Sequence, residues 1–246
     1  NGVIGRIRDV RQGPDGLLKS VADKTYPILN RLMVVIIALG LLLPTMHQSS
    51  LGSVMLISGP KLHRLWFTPM LPLLFLVSCV GMGFAVVVFE SSVSSKIFKL
   101  KPETKMLGRL SAAMIPALAL YVVLRIGDIA FRGQLGKAFA FDLYSFLFWV
   151  EIALFVIPIV MLASRERRMT PRGQFDAAIF MILGGSLYRF NTYLTAFDPG
   201  PGWSYFPTLW EILISGGIVA LEVMIYVYVV KRYPILAGKQ PAEARA

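Results

Sequence analysis

The chain has 246 residues, 56% of them hydrophobic and 16% charged, with a mean hydropathy of +0.65. A soluble domain carries about 25% charge, so this composition excludes an ordinary soluble domain and indicates an integral membrane protein. The net charge of +11 then marks cytoplasmic loops rather than a nucleic-acid surface, and the single cysteine, Cys79, excludes an intrachain disulfide and falls short of the roughly four thiolates of an iron–sulfur cluster.

Residues 1–26 are mixed and basic, with Arg6, Arg8, Arg11, Lys19 and Lys24 among three aspartates, and read as a cytoplasmic loop with a short surface helix. The chain opens at Asn1 and no signal peptide precedes the first apolar run, so it is expected to be a C-terminal piece of something longer. Six apolar runs follow, at about 28–45, 70–90, 107–130, 143–163, 175–197 and 209–231. Each approaches the roughly 20 helical residues that cross a bilayer core. Unalternating runs of this length must be helices, because backbone polar groups cannot stay unpaired in lipid. The expected fold is an all-α integral membrane protein: six transmembrane helices over 27–236, with a cytoplasmic tail at 237–246.

Basic residues alternate between the connecting segments. The segment before the first run has five. Lys61 and Arg64 follow it, then Lys96, Lys99, Lys101 and Lys105, then Arg132 and Lys137. Arg165, Arg167, Arg168 and Arg172 come next, none at 198–208, and finally Lys231, Arg232, Lys239 and Arg245. Positive residues concentrate on the cytoplasmic side, so both termini are expected there. The stretch Thr45-Met46-His47-Gln48-Ser49-Ser50-Leu51-Gly52-Ser53 then falls on the outer side. The segment from His47 to Thr68 reads as an outer loop, with a short re-entrant or interfacial helix possible inside it.

Ionisable residues within spans are costly and usually face a bundle interior or a water-lined path. Arg125 and Asp128, three apart, share a helix face and can pair. Glu151 and Arg189 each lie about two turns from the outer end of their span. Glu211 opens the last span, and Glu222, eleven residues on, shares its face. These residues suggest an outer cluster of His47, Gln48, Ser49, Arg125, Asp128, Arg189 and Glu211, and a candidate proton route through Glu90, Glu222 and Glu151. Interhelical salt bridges that fix the packing are the alternative for the same residues. The only two histidines, His47 and His63, fall on the one outer loop, which argues against a haem held between them. HExxH, CxxC, Walker and GxGxxG motifs are absent from the sequence, so no catalytic or metal-ligand set is assigned.

Several stretches together resemble one family. They are 44–53 (PTMHQSSLGS), 61–66 (KLHRLW), 88–90 (VFE), Leu124-Arg125, 141–145 (FDLYS), 196–200 (AFDPG) and 205–208 (YFPT), with Glu211 and Glu222 following. The chain resembles the NrfD/polysulfide-reductase membrane-subunit family, in its nickel–iron hydrogenase branch, from about residue 25 to 236. The resemblance implies a quinone-reactive anchor in the bacterial inner membrane. It would pass electrons from a periplasmic ferredoxin-like iron–sulfur subunit, supplied by small and large nickel–iron hydrogenase subunits, to quinone, menaquinone in the first instance, with proton translocation as a possible coupling. It implies membrane lipid as a partner and no nucleic acid, and neither haem nor iron–sulfur cluster in this chain. It also implies about four further N-terminal helices that would build much of the quinone pocket, and it makes Glu90 a proton-route residue. Two other readings compete: the membrane subunit of another NrfD-type oxidoreductase, and a secondary transporter, which would need inverted repeats and broken helices.

Overall fold

A computed structural model describes residues 17–99, 103–203 and 205–232. Of the expected N-terminal segment at 1–26, residues 1–16 lie outside these residues, as does the tail at 237–246, while 17–26 belong to the first long helix. The described chain is helical, with no strand beyond a single bridge between Leu62 and Phe197. In chain order the helices are α1 (Leu17–Ile57), α2 (Leu71–Ile97), α3 (Thr104–Phe131), α4 (Leu135–Ala138), α5 (Leu143–Ala163), α6 (Arg165–Arg168), α7 (Pro171–Phe190) and α8 (Leu209–Arg232). A 3-10 turn, Gly59–Lys61, follows α1, and a π-helical turn, Asn191–Thr195, extends α7.

Among the described residues, five helical segments are long and apolar enough to cross a membrane: Lys24–Ile57, Leu71–Ile97, Thr104–Phe131, Leu143–Ala163 and Leu209–Val230. The chain is therefore a multi-pass membrane protein. The expected fifth span, at 175–197, corresponds to α7 and its π turn but is not among the five. Arg172, Gln174, Asp176 and Arg189 dilute its apolar character.

The expected loop from His47 onward is corrected by the structure. The polar stretch from Thr45 to Ser53 lies inside α1, which runs for 41 residues. Helix continues there because small polar side chains can bond back to the previous turn: the Ser53 hydroxyl donates to the Ser49 carbonyl at 3.2 Å. The loop proper begins after Ile57.

The chain divides into two compact units, residues 43–205 and residues 1–42 with 206–246. In the second, the apolar side chains of α8 and of α1 up to Leu42 are largely exposed, as at Ile36 and Ile214. In the first, α2, α3, α5 and α7 form a ring in which each helix packs on the next: α2 on α3, α3 on α5, α5 on α7 and α7 on α2. Short connections make sequential neighbours antiparallel. One end of this bundle therefore gathers the end of α2, the start of α3, α6 and the start of α7. The other gathers the starts of α2 and α5, the end of α3 and the π turn.

Lipid offers helices no apolar driving force for association, so close packing must come from small residues and polar contacts. At Gly184 an added Cβ would stand 3.0 Å from Leu154 Cβ on α5, and at Gly52 it would stand 2.8 Å from the Leu71 carbonyl at the start of α2. The core between the helices is aromatic and aliphatic: Phe75, Met114, Leu118, Tyr121, Phe155, Met181 and Tyr188 are fully enclosed.

Candidate functional site

Within the ring, near the end that carries the π turn, lies a buried polar centre. Glu151, about two turns into α5 and fully enclosed, is its hub. One carboxylate oxygen accepts from Trp66 Nε1 at 2.9 Å and Asn191 Nδ2 at 3.0 Å. The other accepts from the Tyr121 hydroxyl at 3.0 Å and Arg125 Nε at 3.4 Å. Four donors therefore reach one carboxylate from the 62–68 loop, α3 and the π turn. An isolated charge in such a place would be strongly disfavoured, and the paired, hydrogen-bonded arrangement is the one that tolerates burial.

Arg125 is equally enclosed. Its Nη1 donates to the Leu65 carbonyl at 2.8 Å. Its guanidinium lies over the rings of Phe148, Tyr188 and Trp66 at 5.3, 5.5 and 5.9 Å, distances that allow cation–π attraction in a dry setting. Arg125 Nη2 and the Tyr188 hydroxyl are buried without a hydrogen-bond partner among the described residues.

The sequence-level pairing of Arg125 with Asp128 is not what forms. Asp128 turns to the loop side, where it accepts from the Thr68 hydroxyl at 2.7 Å and from Arg132 Nε and Nη2 at 2.9 and 2.6 Å. A spacing of three permits a pair but does not choose it: Arg125 finds the more buried Glu151, and Arg132, four residues after Asp128, takes the aspartate. Arg132 also donates to the Arg64 carbonyl at 3.0 Å.

Two other expected members do meet. Arg189 Nε and Nη2 both donate to Gln48 Oε1, at 3.1 and 2.8 Å, while Nη1 reaches the Gly185 carbonyl at 2.9 Å. His47 is exposed on α1 beside Gln48, and Ser49 is half-buried there. Glu211 belongs to the other unit, where it closes the N-terminus of α8: it accepts from the Thr208 amide at 2.6 Å and hydroxyl at 3.1 Å. Thr208 and Glu211 stand in the S/T-x-x-E spacing of a capping box, a signal the sequence offered. Glu90 is exposed near the end of α2, and Glu222 is exposed on α8 in the other unit. Of the candidate proton route only Glu151 is buried, and the three carboxylates do not form one line within a single unit.

The loops at this end are tied together. His63 N donates to the Ala196 carbonyl at 2.8 Å and Asp198 N to the Lys61 carbonyl at 2.7 Å. The His63 ring stacks on Tyr144 with centroids 4.3 Å apart, and its Nδ1 accepts the Leu65 amide at 3.3 Å. Burial first, and then the charge of Lys137, lower the His63 pKa below its ordinary value, with Asp142 acting the other way. Asp142 caps α5 by accepting the Ser145 amide and hydroxyl, each at 2.7 Å, and those bonds hold its carboxyl below the usual range.

Sequence reasoning missed Trp66, Tyr121 and Thr68. Tyr121 was findable, since it precedes Arg125 by four residues and shares its face. Trp66 and Thr68 lie on an irregular loop, where no periodicity reports direction.

A b-type cytochrome subunit of Escherichia coli, "Probable Ni/Fe-hydrogenase 2 b-type cytochrome subunit", is 44% identical over 85% of this chain and 54% of its own length. A protein of Nitratidesulfovibrio vulgaris is 31% identical over 87% of this chain and 57% of its own. The chain thus spans little more than half the length of the curated relatives it matches. No solved structure matches it. The E. coli name overturns the expectation of a subunit without haem, because a b-type cytochrome is a haem protein. The premise behind that expectation also fails: His47 and His63 do not share a loop, since His47 is on α1 and His63 lies beyond it. Of the two ring nitrogens of His63, Nδ1 accepts the Leu65 amide, so Nε2 is the one left to face a ligand. The family model "Polysulphide reductase, NrfD" matches residues 16–196. With that match covering most of its length, the chain belongs to the polysulphide reductase NrfD family of membrane proteins.

Proposed function

We propose that this chain is a membrane segment of a respiratory hydrogenase complex in the bacterial inner membrane, carrying electrons from a periplasmic iron–sulfur subunit to quinone, menaquinone first among the candidates. The observation that carries the reading is the 44% identity to the E. coli subunit named for hydrogenase 2. The helix order supports six crossings with both termini cytoplasmic. In this reading α7 is the fifth of the six crossings despite its polar residues, because its neighbours α2 and α5 shield it from lipid.

The tied loops at 58–68 and 191–203 then form the outer surface on which the iron–sulfur partner docks. Reduction of quinone to quinol takes up two electrons and two protons. Glu90 and Glu222, each exposed on a spanning helix, are the proton carriers in this reading. Glu151 is a positioning residue instead, because both of its oxygens are already occupied by two donors each. The Gln48–Arg189 pair, with His47 and Ser49 beside it, is the candidate contact for the quinone head.

The test is made in the full-length complex. Deleting the subunit should abolish hydrogen-to-quinone turnover and leave hydrogen oxidation by a soluble dye intact. Quinone turnover that persists in the deletion strain would sink the proposal. For the proton role, Glu90→Gln should slow quinone reduction, and unchanged turnover would remove Glu90 from the route.

A further inference from the structure

The opposite end of the bundle holds a second feature, unrelated to the electron path. Where α3 and α7 begin, a cavity of about 740 Å3 opens between them, lined by Thr104, Lys105, Arg109, Arg165, Met169 and Pro171. Lys105 and Arg109 are four apart on α3 and share a face, and Arg165 opens α6. Three cations therefore converge on one space. None of them has an ion-pair partner among the described residues; the ion pair recorded nearby joins Arg172 to Asp176 instead.

The cavity is built rather than incidental. Gln174, almost fully buried, donates through Nε2 to the Thr104 carbonyl at 2.9 Å and the Arg168 carbonyl at 2.8 Å, which staples the start of α3 to the turn between α6 and α7. On the same side Gly108 packs so closely on that turn that a Cβ would stand 2.8 Å from the Met169 sulfur. Thr170 caps α7 by accepting the Gly173 amide at 3.2 Å. The walls are thus fixed by contacts that do not use the three cations, which leaves their charges for a ligand.

We propose that this cavity binds the phosphodiester headgroup of an anionic phospholipid. Lys105, Arg109 and Arg165 take the phosphate, and Met169 and Pro171 face the first acyl methylenes. The site lies at the ends of spanning helices, where basic pockets between helices meet lipid headgroups. Free phosphate would satisfy the same charges, but it has nothing to set against the apolar wall, so the lipid is the better match.

The experiment uses the full-length protein in phosphatidylcholine nanodiscs doped with cardiolipin or phosphatidylglycerol, with retained lipid counted by native mass spectrometry. One anionic lipid should be retained, and each of K105Q, R109Q and R165Q should weaken its binding by about fivefold. The charge-matched control K96Q/K99Q/R172Q, on the same face but outside the cavity, should bind as the parent does. So should K105R/R109K/R165K, which keeps every charge and guards against loss through misfolding. Three results would overturn the proposal: unchanged retention in the glutamine variants, equal loss in the charge-matched control, or displacement of the lipid by inorganic phosphate as readily as by cardiolipin.

Discussion

Glu151→Gln is the most informative substitution in this protein. Glutamine keeps one acceptor oxygen and replaces the other with an NH2 donor. Either orientation turns that donor toward two of the four groups now pointing at Glu151: Trp66 and Asn191, or Tyr121 and Arg125. Each buried donor left without an acceptor costs about 1–3 kcal/mol. Breaking a buried ion pair from one side costs about 3–5 kcal/mol. The two terms overlap, because part of the second is the first, so a loss of about 4 kcal/mol is expected. For a chain of this size that lowers the melting temperature by roughly 10 °C. The measurement is thermal unfolding of the full-length protein in detergent, in a cycle with R125L and R125L/E151Q. The double variant should be less destabilised than the sum of the singles, with a coupling of about 2 kcal/mol. A Glu151→Gln protein that melts like the parent yet loses quinone turnover would refute the positioning role and make Glu151 a proton carrier.

Three further outcomes are expected. Removing either member of the Gln48–Arg189 pair should cost about 1.5–3 kcal/mol, and a double-mutant cycle of Q48A and R189A should show the two losses overlapping rather than adding. Asp128→Asn should weaken the hold on Thr68 and Arg132 by about 1 kcal/mol and speed hydrogen exchange at the amides of Leu65, Trp66 and Phe67, with exchange at α7 unchanged. The third outcome concerns pH. His63 is lowered in the folded state, so as pH falls below its unfolded value of about 6.5 the unfolded chain takes up a proton first and stability declines. Asp142, also lowered, contributes stability above its unfolded value that is lost as pH falls further, through its folded value. Both act in the same direction, and His63→Gln should flatten the melting-temperature profile between pH 7 and 5 while leaving the more acidic limb in place.

The all-helical fold and five of the apolar spans were legible in the sequence because apolar runs of bilayer length leave few alternatives. The buried charges were legible for the same reason: Arg125, Glu151 and Arg189 stand out in apolar surroundings. Their partners were not. Periodicity assigns residues to faces of one helix but says nothing of which face a loop covers, so Trp66 and Thr68 were invisible and Asp128 was given to Arg125. The stretch around His47 was read as a loop from its polarity. Serine and threonine can satisfy their hydroxyls on the preceding turn, however, so polarity alone does not end a helix. Glu211 shows a different failure. A carboxylate at the start of an apolar run was read as a member of the outer cluster, although the threonine three residues earlier marked it as a cap.

The location of the polar centre follows from what the bilayer withholds. Helices in lipid gain little from apolar burial against one another, so neither helix register nor loop position can be set by it. Hydrogen bonds to a buried carboxylate can set both, because each donor left without its acceptor is costly. Glu151 draws its donors from the 62–68 loop, from α3 and from the π turn, and so couples the parts of the bundle end that would otherwise be free to slide. The π turn belongs to the same solution. The extra residue it admits in the final turn of α7 sets the direction of Asn191, whose amide reaches Glu151 while its carbonyl accepts the Ala196 amide at 2.7 Å. From Ala196 the chain passes directly into the backbone bonds with His63 and Lys61. A rigid loop surface is thus continuous with a charge buried inside the bundle. This predicts that substitutions at Glu151 will loosen the loops at 62–68 and 196–198 before they loosen the packing of α5 on α7. Hydrogen exchange on Glu151→Gln should show that order, and loss of protection in the helices first would mean that the loops are held independently of the carboxylate.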